Sequence, residues 1–316
     1  MTGFLDDEDE SALGPPQRVH RPRENLDRCA LRAQLRGDPM LGTAFPAARL
    51  LLVEQPGPWG PSGLTESRFG DEAAQALVQR ADAAGLRVQA VRRPGRTPAG
   101  TPLHWLLVDT REGRETIRWD RYREPAELLD LPLDGSVGRV DDGPVFLVCA
   151  HSKHDPCCAV RGRNVAAAID KVRPGRVLET THLGGDRFAA NVLVVPSGLL
   201  YGRVLPFAAE EFCAAAEADE VVGALLRGRI GLPAAAQAAL AFAYEHLALR
   251  RRADLQVESV SPVHGGVADV RLRGPHGTVD VVVRVERVPA VGLTCHNPAP
   301  NRYLRYRPVD LTIVDD

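Results

Sequence analysis

Short, wholly apolar runs in this chain alternate with stretches in which apolar residues recur every three or four positions. The first pattern predicts strands buried on both faces, the second amphipathic helices. Residues 48–54 predict a strand; over 71–84, Ala74, Leu77, Val78 and Ala81 share a helical face, with Gly85 as the stop. Strands follow at 86–91 and 103–109, with 116–119 as hairpin partner of the latter, and the Pro/Gly-rich stretch 92–102 reads as a loop. Gly and Asp cluster over 134–143, which predicts a linker. A second series then begins: strand 145–148 ending at Cys149, a helix opening at Cys158 and running to 172, strands at 177–180, 191–195 and 199–204, and a helix over 208–218. The tail predicts a helix over 233–252 and strand-like runs at 254–261, 267–273, 278–285 and 303–314.

These elements divide the chain into a polar arm over 1–24, an α/β unit over 25–140, a second α/β unit over 141–230 and a small α+β domain over 231–316. The fold class is α/β. Both α/β units open strand–loop–helix, but no residue-level repeat accompanies that likeness.

Composition narrows the reading. A chain of 316 residues with 44% hydrophobic content buries a substantial core. The net charge of −2 gives no general pull toward nucleic acid or anionic membranes. The basic stretches Arg92-Arg93-Pro94-Gly95-Arg96 and Arg250-Arg251-Arg252 lack interleaved aromatics and read as exposed faces. No apolar stretch approaches the roughly 20 residues that span a bilayer. Six cysteines are too sparse for a disulfide scaffold, so the expected location is the reducing cytoplasm, where thiols stay available to metal.

The chemistry concentrates around Cys149 and Cys158, which have eight residues between them, and the run Thr181-His182-Leu183-Gly184-Gly185-Asp186-Arg187. Thiolates and imidazole are the donors that an iron–sulfur or zinc centre requires. Cys149 ends an apolar strand, and Cys158 opens a helix whose free N–H groups favour a thiolate. Cys157 reads as a spectator beside Cys158, or as a ligand that substitutes for it. His151 and His154 read as solvated loop histidines, and Cys29 and Cys213 as small buried apolar residues.

The segments Cys149-Ala-His-Ser-Lys-His-Asp155-Pro-Cys157-Cys158-Ala-Val-Arg-Gly162, His182-Leu-Gly-Gly-Asp-Arg-Phe-Ala-Ala-Asn191 and Leu200-Tyr-Gly-Arg-Val204 resemble the sucrase/ferredoxin-like family. Upstream, Cys29, Gly42-Thr43-Ala44 and Glu54-Gln-Pro-Gly-Pro-Trp-Gly60 extend the resemblance, which covers roughly residues 28 to 230. It implies a thioredoxin-like ferredoxin domain over 141–230, preceded by another α/β unit and followed by the small α+β domain. The β-α-β-β-β-α order agrees with such a layer. It also implies one [2Fe–2S] cluster held by two cysteines and two histidines spaced His-x-x-x-His. On this chain the ligand positions fall on Cys149, Cys158, His182 and Asp186, the last departing from the histidine pattern. A carboxylate suits cluster iron poorly. Asp186 is therefore a weak ligand, or an acceptor that orients His182, or it yields the place to Cys157, Cys295 or His296.

The resulting expectation is an electron carrier rather than a catalyst, served by a redox partner protein or reductase, with no nucleic acid and no membrane involved. Mixed ligation puts less negative charge on the cluster than four cysteines do, which raises the reduction potential. Nothing nominates the facing carboxylates a glycosidase needs. The competing class is a thiol redox enzyme without a cluster, using Cys157 or Cys158 with His182.

Overall fold

A computed structural model describes residues 28–314 except 99 and 298; the arm expected over 1–24 lies outside the described residues. The chain forms α1 (Cys29–Leu35), β1 (Arg49–Glu54), α2 (Asp71–Ala83), β2 (Arg87–Arg92), β3 (Leu103–Asp109), β4 (Thr116–Tyr122) and β5 (Arg139–Asp141). It continues with β6 (Val145–Cys149), α3 (Pro156–Val172), β7 (Val177–Thr180), β8 (Val192–Val195), β9 (Leu199–Tyr201), α4 (Ala209–Glu217) and β10 (Leu226–Arg229). Last come α5 (Ala234–His246), β11 (Gln256–Val260), β12 (Val267–Gly274), β13 (Gly277–Val291) and β14 (Pro300–Val314).

The architecture is α/β: a ten-stranded mixed sheet in the order β10-β9-β8-β6-β7-β2-β1-β3-β4-β5, and an antiparallel four-stranded sheet, β11 to β14. The order of the large sheet reads the same from either end. In one half β1 and β2 are parallel around α2, with β3, β4 and β5 added antiparallel outside β1. In the other, β6 and β7 are parallel around α3, with β8, β9 and β10 added antiparallel outside β6. The halves meet where β2 pairs antiparallel with β7, and Arg92 bridges Glu179 at 2.6 Å across that join. Corresponding backbone contacts repeat: the N–H of Gln55, just after β1, donates to the Val91 carbonyl at 2.7 Å, and that of Ala150, just after β6, donates to the Thr180 carbonyl at 3.1 Å. Glu54 is thereby the counterpart of Cys149.

The apolar runs explain the layering. Leu50 to Val53 are all fully buried because alternate residues serve different cores: Leu51 and Val53 lie with α2, while Leu50 and Leu52 share a core with Leu147, Cys149 and Leu193 of the other half. That shared core joins the inner faces of the halves, and α3 and α4 cover the outer face of β6 to β9. Along β12, buried Ala268, Val270 and Leu272 alternate with exposed residues and pack with α5, as expected of a sheet with one covered face.

Several boundaries differ from the sequence-based expectations. The linker 134–143 contains β5, which pairs with β4; only three residues long and polar, it carries no strand periodicity. β10 was hidden for a similar reason, since its sequence Leu-Arg-Gly-Arg reads as polar although all four residues are buried. The helix expected over 233–252 ends at His246, where the Leu249 N–H turns back to the Tyr244 carbonyl at 3.0 Å and Ala248 adopts φ +55°. β13 runs six residues past the expected end. Pro289 is tolerated there because β12 pairs only as far as Arg284, leaving the proline on an unpaired edge.

Candidate metal centre

The residue before α3 explains how the helix starts. Asp155 caps it, accepting the Cys157 N–H at 2.8 Å, and Pro156 occupies the first helical position, where a missing N–H costs nothing. The helix therefore opens two residues earlier than Cys158. It approaches β6 closely because Gly162 has no side chain; a Cβ there would overlap the Cys149 carbonyl oxygen. That approach puts the end of β6 against the first turn of α3, so Cys149 and Cys158 meet.

The third contributor is the loop after β7. Gly184 and Gly185 both take left-handed backbone angles, φ +80° and +70°, and a Cβ on Gly185 would come within 2.6 Å of the Arg227 guanidinium. Arg227, fully buried on β10, donates to the Gly184 carbonyl at 2.8 Å, to Oδ1 of Asn191 at 2.9 Å and to the Thr43 carbonyl at 2.6 Å. The Asn191 amide adds a bond to the Gly185 carbonyl at 3.0 Å. So held, the loop aims His182 and Asp186 at the thiols.

Ligand atoms of Cys149, Cys158 and His182 all lie within 4.8 Å of one another, as do those of His154, His182 and Asp186. The Cys158 thiol donates to Oδ1 of Asp186 at 3.1 Å, and Nδ1 of His182 lies 3.0 Å from the same oxygen. That last contact lacks hydrogen-bond alignment, which leaves Nδ1 a buried polar atom with no hydrogen-bond partner. The four residues expected from the sequence are thus brought together, in two groups that share His182, Cys149–Cys158–His182 and His154–His182–Asp186, each of which could hold a metal ion.

Electrostatics mark the same corner. Contact with Cys158, reinforced by His182, holds the Cys149 thiol well below its ordinary range, and the same contact raises Cys158. Burial alone would lower His182, but Asp186 and Cys149 outweigh it and push it up to about 9. Burial acts to raise Asp186, and its contacts with His182 and Cys158 bring it below the usual carboxylate value. Burial pushes Arg227 down to about 9.

Of the two loop histidines, His151 differs from expectation, while His154 keeps an exposed edge. His151 is 2% exposed rather than solvated: its Nε2 lies 2.7 Å from the Gly60 carbonyl oxygen, and its ring meets the edge of Trp59. His154 stacks on His182 with ring centroids 3.6 Å apart. Both histidines and His182 line a surface cavity of ≈ 440 Å³, so imidazole edges connect the buried thiols to solvent.

Cys157 faces away from this site, toward Cys29, Cys295 and Asp155. Cys213 is fully buried in the apolar core under α4, as its Ala-rich surroundings predicted. Sequence reading did not single out Arg227 at all. The polar setting of β10 carried no signal for a buried arginine, and only the loop's need for donors shows its role.

The first half holds no thiols at the matching corner. Glu54 there accepts from Arg93 at 2.9 Å and from the His104 N–H at 3.0 Å, with Nδ1 of His104 2.9 Å away. No helix among the described residues is long and apolar enough to cross a membrane. Residues 40–228 match the family described as sucrase/ferredoxin-like. No curated protein and no solved structure matches the chain.

Proposed function

The chain belongs to the sucrase/ferredoxin-like family, and from that premise we propose that it is an electron-transfer protein holding one [2Fe–2S] cluster through Cys149, Cys158, His182 and Asp186. The observation that carries the reading is the convergence of two thiols, an imidazole and a carboxylate from three separate segments, with Nδ1 of His182 3.0 Å from the Asp186 carboxylate and 3.1 Å separating that carboxylate from the Cys158 sulfur. Soft sulfur plus imidazole fits iron of mixed ligation. The strand order β7-β6-β8-β9, with β6 and β7 parallel around α3 and α4 following β9, supports a thioredoxin-like reading of this half.

Bound there, the cluster would supply reversible one-electron transfer. Cys149 and Cys158 would anchor it as thiolates from the rigid β6–α3 corner, and His182 would contribute its buried ring nitrogen. Arg227, behind the loop, offsets negative charge without reaching solvent. His154, stacked on His182 and partly exposed, gives a docked redox partner or reductase its nearest aromatic edge. The cytoplasm remains the proposed location, in keeping with six unpaired cysteines.

Burial weighs against a thiol enzyme using Cys157 or Cys158 with His182. Both sulfurs belong to residues with no exposed surface, and Cys157 lies in the other cluster. A nucleophile must be reachable by its substrate.

The test is the visible and EPR spectrum of anaerobically purified protein with iron and sulfide analysis. About two irons and two sulfides per chain are expected, lost in Cys149→Ser and Cys158→Ser and largely kept in Cys157→Ser. A colourless protein without iron, or colour that survives Cys158→Ser and disappears in Cys157→Ser, would refute the proposal.

A further inference from the structure

Three cysteines far apart in the chain meet beside the site just described. The sulfur of Cys157 lies 3.6 Å from that of Cys29 and 3.4 Å from that of Cys295, and Cys295 and Cys29 are 3.5 Å apart. The triangle is nearly equilateral. Its members come from the start of α1, the start of α3 and the β13–β14 connection, separated by 128, 138 and 266 positions. None is disulfide-bonded. Asp155 closes the fourth side: its carboxylate oxygens lie 3.6 and 3.8 Å from the Cys29 sulfur while accepting the N–H groups of Cys157 and Cys295, both at 2.8 Å.

We propose that Cys29, Cys157 and Cys295, with Asp155 as the fourth ligand, form a structural zinc site distinct from the Cys149–Cys158–His182 centre. A tetrahedral zinc with Zn–S bonds of about 2.3 Å separates its sulfurs by about 3.8 Å. The observed triangle is within a few tenths of an ångström of that spacing and far from the ~2.05 Å of a disulfide. Each Asp155 oxygen keeps a lone pair beyond its backbone hydrogen bond. Binding Zn²⁺ displaces the thiol protons to solvent and leaves three thiolates and a carboxylate on the ion.

The site gives two isolated pieces a reason to hold. α1 has seven residues, too few to be stable alone, and Cys295 sits on the connection at the far end of the long β13–β14 hairpin. Zinc would tie both to the first turn of α3, one residue before Cys158.

The full-length chain, expressed with zinc and purified without chelators, is expected to carry about one zinc per chain by elemental analysis. Cys29→Ser and Cys295→Ser should lower that content at least about tenfold while leaving iron unchanged, and Cys149→Ser should lower iron while leaving zinc unchanged. Cobalt titration of the chelated, reduced wild-type chain provides a readout that does not depend on the folding of the Cys29 and Cys295 variants. An intense thiolate-to-cobalt absorption band, reversed by zinc and unaffected by Cys149→Ser, supports the site. Its absence from folded wild-type protein, zinc that persists in both Cys29→Ser and Cys295→Ser, zinc lost with Cys149→Ser instead, or a disulfide among the three cysteines in freshly isolated protein would overturn the proposal.

Discussion

Cys157 and Cys158 are adjacent in the first turn of α3 yet serve different clusters: the Cys157 sulfur lies 3.4 Å from that of Cys295, and the Cys158 sulfur 3.1 Å from Oδ1 of Asp186. Successive helical residues project about 100° apart, so one turn of helix presents a thiol to each side. Rotating α3 to improve one contact set would spoil the other. The cap by Asp155 and the packing of Gly162 on β6 fix that rotation.

Asp186 is the proposed ligand position to which the resemblance assigns a histidine. If its carboxylate binds iron, Asp186→His keeps the cluster, slows its loss and raises the potential, because a neutral donor replaces an anionic one. His182→Ala then damages the cluster more than Asp186→Ala. Potentiometry and cluster lifetime check this. If Asp186 only orients His182, Asp186→Ala retains the cluster and Asp186→His brings no gain.

Gly162→Ala tests the approach of α3 to β6. The added methyl would overlap the Cys149 carbonyl, so helix and strand must separate and Cys158 must leave Cys149. The expected cost is on the order of 3 kcal/mol in denaturant unfolding, with faster loss of metal. Wild-type stability in this variant would contradict the tight corner.

Arg227→Met removes the donors that hold the loop after β7. It strands the carbonyls of Gly184 and Thr43 and the Asn191 side chain in a buried setting. A loss of about 1–3 kcal/mol is expected for each buried acceptor left unsatisfied. Iron content should fall with it, since His182 and Asp186 lie on that loop. Denaturant unfolding and iron analysis read the two effects separately.

Glu54 links stability to pH. Burial works to raise its carboxyl, but His104 and Arg93 hold it below its ordinary 4.5. A folded-state value below the unfolded one adds stability that is fully present above the unfolded value. That stability is lost as pH falls through the folded value. Glu54→Gln should therefore be less stable than wild type at pH 7, by about 1–3 kcal/mol. The gap should narrow as pH drops below 4.5. A gap of constant size from pH 7 to pH 3 would refute the linkage.

Much of the fold was legible because strands such as Leu50 to Val53 bury both faces and leave continuous apolar runs. Cys149, Cys158 and His182 were legible as soft donors in a recognisable motif. The symmetric sheet order was not. It resides in strand pairing, and the two halves place Glu54 and Cys149 at equivalent corners with unrelated neighbours. Cys29 and Cys295 escaped for another reason: partners 266 positions apart leave no local spacing to read. Nor did Cys157 differ, as a sequence, from a buried spectator; only the direction of its sulfur assigns it.

The pairing of β2 with β7 has a consequence for how the chain could be divided. Each half, cut free, would present that strand as a bare edge, the kind of surface that recruits another strand. The nearest complement would be a second copy of the same topology. The single polypeptide is in effect a dimer that cannot dissociate, its two lobes kept at the roughly millimolar effective concentration of a short tether. Only one lobe carries the candidate metal corner; the other, with Glu54 in place of a thiol, acts as its permanent escort.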